Sequence, residues 1–273
     1  VNIGIDKIGF YAPHLYIDMV KLAHERGDDP GKYTKGIGQD EMAIPPITQD
    51  TVTMAANAAY ELIDETDREK IDYVIFGTET GIDHSKSGAV YVSHLLGLKN
   101  EVRAVETKQA CYGATAAIQL AKGHIALNPE SKVLILASDI ARYGLATPGE
   151  VTQGAGAVAI LMSKDPRIMR LEKETTYQTE DTMDFWRPIY SEEAFVNGQH
   201  SNNKYIEFFA DLWEAYTKKT GRDFADFEAI CFHLPYTRMG EKALKPHLEN
   251  MTEDVANRLQ ANYKLSTKYN RLV

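Results

Sequence analysis

The sequence predicts an α/β fold in which strands alternate with helices, arranged as two related halves. Three observations carry that expectation: short buried apolar runs separated by helical patterns, one βα unit that recurs at a fixed offset, and a cysteine set between a strand and a small-residue helix. The opening run Ile3–Tyr11 reads as a strand, followed by a helix over 18–25 and a polar loop over 27–38. From about residue 50 to 65, Val52, Ala55, Ala56, Ala59, Leu62 and Ile63 fall on one side of a single amphipathic helix. Tyr73-Val-Ile-Phe76 is a buried strand, residues 86–96 a helix, and residues 102–107 a further strand. Two more buried strands are expected over 132–138 and 154–162, with the helix that opens at or just after Cys111 between strands.

Beyond residue 165 the pattern starts again, with an amphipathic helix over 203–217 and a strand over 228–232. Ile71-Asp72-Tyr73-Val-Ile-Phe-Gly-Thr-Glu79 aligns with Ala225-Asp226-Phe227-Glu-Ala-Ile-Cys-Phe-His233 at a constant offset of 154 residues. Chance reuse of a common unit is the competing explanation; the matching flanks favour duplication. The first half, 1–165, carries the Glu and the Cys, and the second, 166–273, carries the His. A full second copy would extend to about residue 319, so the second half reads as truncated.

A length of 273 residues accommodates one large domain or two packed halves with ample core. No apolar run approaches the ~18–20 residues a membrane span needs, and residues 1–7 show neither a basic nor an apolar signal region. Only Cys111 and Cys231 are present, which argues against a disulfide scaffold and for a reducing cytoplasm. A net charge of −9 disfavours nucleic acid as a partner. Neither cysteine has zinc spacing to other ligands, so no metal is expected.

Cys111 lies in Lys108-Gln-Ala-Cys111-Tyr-Gly-Ala-Thr-Ala-Ala, where a strand gives way to a helix. A thiol there either packs as a small hydrophobe or faces unpaired helix N–H groups that favour the nucleophilic thiolate; the context favours the second. Ala114, Ala116 and Ala117 are slim, which suits a helix wedged into the interior. Glu79 ends a buried strand, where ligands meet α/β sheets and where desolvation raises a carboxyl pKa toward general acid/base use. His233 is its counterpart in the second copy. A nucleophile flanked by an acid and an imidazole from two halves suits carbon–carbon bond formation on a thioester. Arg238, Lys242 and Lys245 recur at helical spacing, as a phosphate-binding face or a merely solvated one. The glycines in 147–156 match neither a dinucleotide fingerprint nor a phosphate loop.

Gly36-Ile-Gly-Gln-Asp, Gly77-Thr-Glu79, Ala110-Cys111-Tyr-Gly-Ala-Thr, Ala141-Arg-Tyr143-Gly-Leu, Glu150-Val-Thr152-Gln-Gly-Ala-Gly-Ala-Val, Asp184-Phe-Trp-Arg-Pro188 and Cys231-Phe-His233-Leu-Pro-Tyr together closely resemble 3-hydroxy-3-methylglutaryl-CoA synthase, in the bacterial mevalonate-pathway form that feeds isoprenoid synthesis. The resemblance implies a thiolase-like fold with two halves in α-β-α-β-α layers, in a cytoplasmic homodimer that uses no cofactor beyond its CoA thioester substrates. It implies that Cys111 takes the acetyl group of acetyl-CoA, Glu79 forms its enol, and His233 polarises the keto group of acetoacetyl-CoA. It carries substrate contacts onto Asp29, Tyr143, Thr152, Ser201 and Lys242. Arg238 stands where close relatives often have Lys, which keeps the charge but changes the geometry. The family continues past this chain's last residue with further pocket-forming motifs. Synthases that install β-branches on carrier-protein polyketides resemble it too. A decarboxylating ketoacyl synthase fits less well, since it would use His and Asn where this chain has Glu79. A non-catalytic dimer scaffold is the alternative from another class.

Overall fold

The computed structural model describes residues 2–268 and 270–272. The strands are β1 (Ile3–Tyr11), β2 (Leu15–Asp18), β3 (Glu41–Ile44), β4 (Ile71–Gly77), β5 (Arg103–Thr107), β6 (Lys132–Ile140), β7 (Ala155–Lys164), β8 (Met169–Arg170), β9 (Phe185–Trp186) and β10 (Phe195–Val196). The helices are α1 (Met19–Arg26), α2 (Thr51–Tyr60), α3 (Glu65–Lys70), α4 (Gly88–Leu95), α5 (Gly113–Leu127), α6 (Gly198–Thr220), α7 (Met239–Leu248) and α8 (Glu253–Ser266). They form two compact units that interleave along the chain: residues 1–15, 43–141 and 154–171 in one, and 16–42, 142–153 and 172–273 in the other.

The first unit is built on a six-stranded sheet of order β5-β4-β6-β7-β1-β8. β4 lies parallel to both β5 and β6, and the remaining pairs are antiparallel. Alternation along the strands assigns each side chain to one of two layers. Val74 and Phe76 of β4, with Leu134 and Leu136 of β6, pack against α2 and α4. Ile75, Val133 and Ile135 point the other way, onto Ala117, Ala121 and Ile125 of α5. These central strands are buried on both faces, which explains why they are apolar without interruption. The α5 helix covers the sheet with the stripe Gly113, Ala117, Ala121 and Ile125, while Leu120 and Leu127 are exposed.

Two local expectations change. The helix expected over 50–65 ends at Tyr60, and Asp64 caps a new one that starts at Glu65: its carboxylate accepts the Asp67 N–H while the Asp67 carboxylate accepts the Asp64 N–H. The loop over 27–38 contains a wide π-helical turn, Lys32–Ile37, that ends at Gly38 with φ +90°.

In the second unit, Phe224, Leu244, Val255 and Leu259 form a core with Phe209, Trp213, Ile230 and Phe232 packed on it. Residues 228–232 are not a strand. A strand persists only when neighbours take its backbone groups. Side chains of α8 hold the carbonyls instead: Arg258 donates to Ala225 and Phe227, and Asn262 to Glu228.

At the end of the sheet where β4 and β6 begin, Asp6, Lys7, Asp67, Lys132 and Arg167 line a cleft of about 540 Å³. It lies at the opposite strand ends from Glu79 and Asp139 and is filled by ion pairs: Asp67 takes Lys132 at 2.6 Å and Lys7, and Asp6 takes Arg167 at 2.7 Å. No helix among the described residues is long and apolar enough to cross a membrane.

Candidate active site

Two glycines bring the start of α5 onto the end of β4. A Cβ on Gly77 would meet the Ala114 nitrogen at 2.6 Å, and one on Gly113 would meet the Gly77 Cα at 3.3 Å. Thr107, at the end of β5, donates its hydroxyl to the Gly113 carbonyl at 3.0 Å. Cys111 sits in a short 3-10 turn, Ala110–Tyr112, just ahead of α5. The residue before it, Ala110, has φ +42°, a left-handed conformation that costs a non-glycine residue about 1–2 kcal/mol. Strain of this kind next to a reactive side chain fits a segment shaped for placement of that side chain.

Glu79 lies two residues past the end of β4, and its backbone is tied to the end of β6. One oxygen of Asp139 accepts four donors: the Thr78 hydroxyl at 2.7 Å, the Glu79 N–H at 2.8 Å, the Thr80 N–H at 3.0 Å and the Thr80 hydroxyl at 2.7 Å. Thr80 in turn accepts the Ile140 N–H at 3.0 Å. Burial raises the Asp139 carboxyl above its ordinary value, against those donors. Asp139 was not among the residues singled out from the sequence. The expected strand stopped at residue 138, one short of it, and the signal was an acid ending the strand that becomes β4's neighbour.

Cys111 is open to solvent yet closely surrounded by protein, so its thiolate is poorly hydrated. Desolvation, then the negative charges of Glu79 and Asp139, push the thiol up to about 12, and the contribution of its own backbone N–H does not offset them. The expectation of a thiolate stabilised by the helix N-terminus is corrected: two carboxylates and poor hydration outweigh the dipole. The thiol is a neutral group at pH 7 whose ionisation is coupled to Glu79.

The remaining expected site residues lie in the second unit. His233 follows the 228–232 segment, and desolvation holds its imidazole below the ordinary value. The Tyr205 hydroxyl donates to its carbonyl at 2.6 Å. Lys242 donates to the Tyr236 hydroxyl at 2.9 Å, and that hydroxyl donates to Asn202 at 3.1 Å, next to Ser201 in the first turn of α6. Arg238 pairs with Glu241 at 3.0 Å and donates to the Lys35 carbonyl at 3.1 Å. Gly38 lets that loop pass, since a Cβ there would meet Thr237 at 3.0 Å and Arg238 at 3.1 Å. Asp29 is exposed and accepts the Gly31 N–H at 3.0 Å. The Tyr143 ring meets Phe185 edge-on at 5.8 Å, its backbone N–H donates to Gln153 at 2.7 Å, and the Thr152 hydroxyl donates to the Gly149 carbonyl at 2.9 Å. Between them buried Glu150 takes Arg26 in a two-bond fork of 2.7 and 2.8 Å. Glu79 and Cys111 thus share one unit with Asp139, and His233 shares the other with all six expected substrate contacts.

The family model for the hydroxymethylglutaryl-coenzyme A synthase N terminal matches residues 1–166. A hydroxymethylglutaryl-CoA synthase of Enterococcus faecalis is 51% identical over all 273 residues, which cover 71% of that relative. The chain belongs to the hydroxymethylglutaryl-CoA synthase family. It is of the bacterial type, with the α/β, thiolase-like fold of that family. The synthase of Haloferax volcanii is 34% identical over 264 residues, 93% of this chain and 59% of that relative. A crystal structure of HMG-CoA synthase complexed with CoA superposes with a TM-score of 0.98 at 45% identity, covering 100% of this chain and 71% of that one. The Curacin-pathway HMG synthase in complex with holo donor-ACP gives 0.87 at 28%, covering 100% of this chain and 67% of that one. The chain therefore spans roughly three-fifths to seven-tenths of the length of these synthases.

Proposed function

We propose that this chain is the greater part of a hydroxymethylglutaryl-CoA synthase that condenses acetyl-CoA with acetoacetyl-CoA and water to give 3-hydroxy-3-methylglutaryl-CoA and CoA. The observation that supports it most is the 51% identity to the Enterococcus synthase over the whole chain, with Cys111 and Glu79 in one unit where the Glu79 charge bears on the thiol. Cys111 attacks the acetyl carbonyl, the new S–C bond replaces the one to CoA, and the thiol proton leaves on CoA. Glu79 then removes a proton from the acetyl methyl group. The resulting carbanion attacks the keto carbon of acetoacetyl-CoA, whose oxygen His233 polarises and protonates. Water finally cleaves the Cys111 thioester and releases the product. Positioned acid/base catalysis of this kind contributes roughly 10²–10⁴-fold. The first half, 1–165, supplies the nucleophile and base with Asp29, Tyr143 and Thr152, and the second half, 166–273, the imidazole with Ser201, Arg238 and Lys242.

The higher identity to the Enterococcus synthase than to the Curacin enzyme supports free CoA thioesters as substrates. The test is incubation with radiolabelled acetyl-CoA, followed by acetoacetyl-CoA or an acetoacetyl carrier protein. Label on Cys111 in the parent, none in Cys111→Ala, and a labelled but non-condensing Glu79→Gln are expected. Absence of label on the parent protein would remove the proposal.

A further inference from the structure

We propose that Tyr205 is the positioning residue for His233, fixing the backbone from which the imidazole projects; this rests on the reading of His233 as the group that polarises the acceptor. Within the described residues the segment over 228–236 meets α6 on one side. Its order comes from α6, which presents three side chains at helical spacing to three residues of the segment in reverse order. Phe209 packs on Phe232 with ring centroids 5.1 Å apart, Tyr205 bonds to His233, and Asn202 takes the Tyr236 hydroxyl. Residues 202, 205 and 209 lie on one face of a helix, so the three contacts act as rungs.

The Tyr205 rung alone reaches the candidate imidazole residue. Its hydroxyl donates to the His233 carbonyl at 2.6 Å, and its ring is tilted 37° to the imidazole at 6.3 Å. A main-chain carbonyl needs a donor, and a half-buried tyrosine hydroxyl needs an acceptor; each satisfies the other. Burial and the neighbouring Tyr263 and Tyr236 raise the Tyr205 hydroxyl, so it remains a donor throughout the neutral range. The bond goes to the main chain and occupies neither ring nitrogen, which leaves the imidazole to act on a substrate carbonyl while its origin is fixed.

The test is Tyr205→Phe, which keeps the ring and removes only the donor, with Asn202→Ala as the neighbouring-rung control. The protein is labelled with ¹³C,¹⁵N-histidine and the His233 ring is titrated by NMR. Tyr205→Phe is expected to move the His233 titration toward the ordinary histidine range by several tenths of a pH unit and broaden its resonances, while Asn202→Ala leaves it in place. In turnover, acetylation of Cys111 is expected to be unchanged and condensation to fall about tenfold through kcat. Superimposable His233 titrations in parent and Tyr205→Phe, or an equal shift in Asn202→Ala, would overturn the assignment. Should the parent show no acetylation at all, the functional reading fails, and the titration still decides whether Tyr205 positions His233.

Discussion

The Glu79 backbone N–H donates to Asp139 at 2.8 Å, so the acid just past β4 is anchored by an acid at the end of β6. Three further donors from Thr78 and Thr80 converge on the same oxygen. Asp139→Ala would leave three of the four without that acceptor, while the Thr80 N–H keeps the Thr78 hydroxyl at 3.1 Å. Since each buried unsatisfied donor costs about 1–3 kcal/mol and some will find water, a loss of roughly 3 kcal/mol is expected in urea denaturation. Asp139→Asn keeps an acceptor oxygen and should lose much less.

The same carboxylates set the reactivity of Cys111. With its thiol at about 12 rather than the ordinary 9.0, its thiolate fraction at pH 8 is about a thousandfold lower than that of an ordinary cysteine. Alkylation by iodoacetamide, followed by peptide mass spectrometry, should be slow at Cys111 and rise tenfold per pH unit through pH 11. Asp139→Asn removes one of the raising charges and should accelerate it at every pH below the parent's pKa. Rapid labelling of Cys111 at pH 7 in the parent would contradict this account.

Gly77→Ala should displace the start of α5. The added methyl would meet the Ala114 nitrogen at 2.6 Å and the Gly113 carbonyl carbon at 2.9 Å, both backbone atoms that cannot rotate away. Overpacking of this kind costs about 1–3 kcal/mol. Thermal unfolding should register it, and Cys111 alkylation should change with it because the turn that carries the thiol moves.

The ion-pair cluster at the other end of the sheet predicts how stability responds to acid. The Arg167 hydrogen bond holds Asp6 below the ordinary carboxylate range; for Asp67, burial raises the pKa but bonds from Lys132 and Lys7 outweigh it and leave it lowered. A folded pKa below the unfolded one means that the stabilisation is complete above about pH 4 and is lost as pH falls through the folded values. Denaturation midpoints from pH 7 to 2 should therefore be flat, then fall. Asp67→Asn should remove about 1.5–3 kcal/mol at pH 7, because Lys7 and Lys132 each lose a charged acceptor while keeping Asp64 and Asp6, and should flatten the acid limb.

Much of this protein was legible before any coordinates. Apolar runs such as 73–76 and 132–138 become strands because burial on both faces demands uninterrupted apolar side chains, and Cys111 and Glu79 fall at element ends because sheet geometry puts loops there. Local hydrogen-bonding side chains also determine where helices start, as Asp18 and Asp50 do for α1 and α2. Three outcomes belonged to the tertiary structure. Residues 228–232 have a strand's composition, but strand pairing is a property of neighbours, and here α8 side chains take the carbonyls of Ala225, Phe227 and Glu228. The helix-start position predicts an easily ionised thiol, whereas burial first and then the charges of Glu79 and Asp139, which chain folding brings to it from 32 and 28 residues away, raise it. Asp139 itself looked like the tail of a strand, because only the parallel pairing of β4 with β6 shows that its oxygen gathers the donors around Glu79.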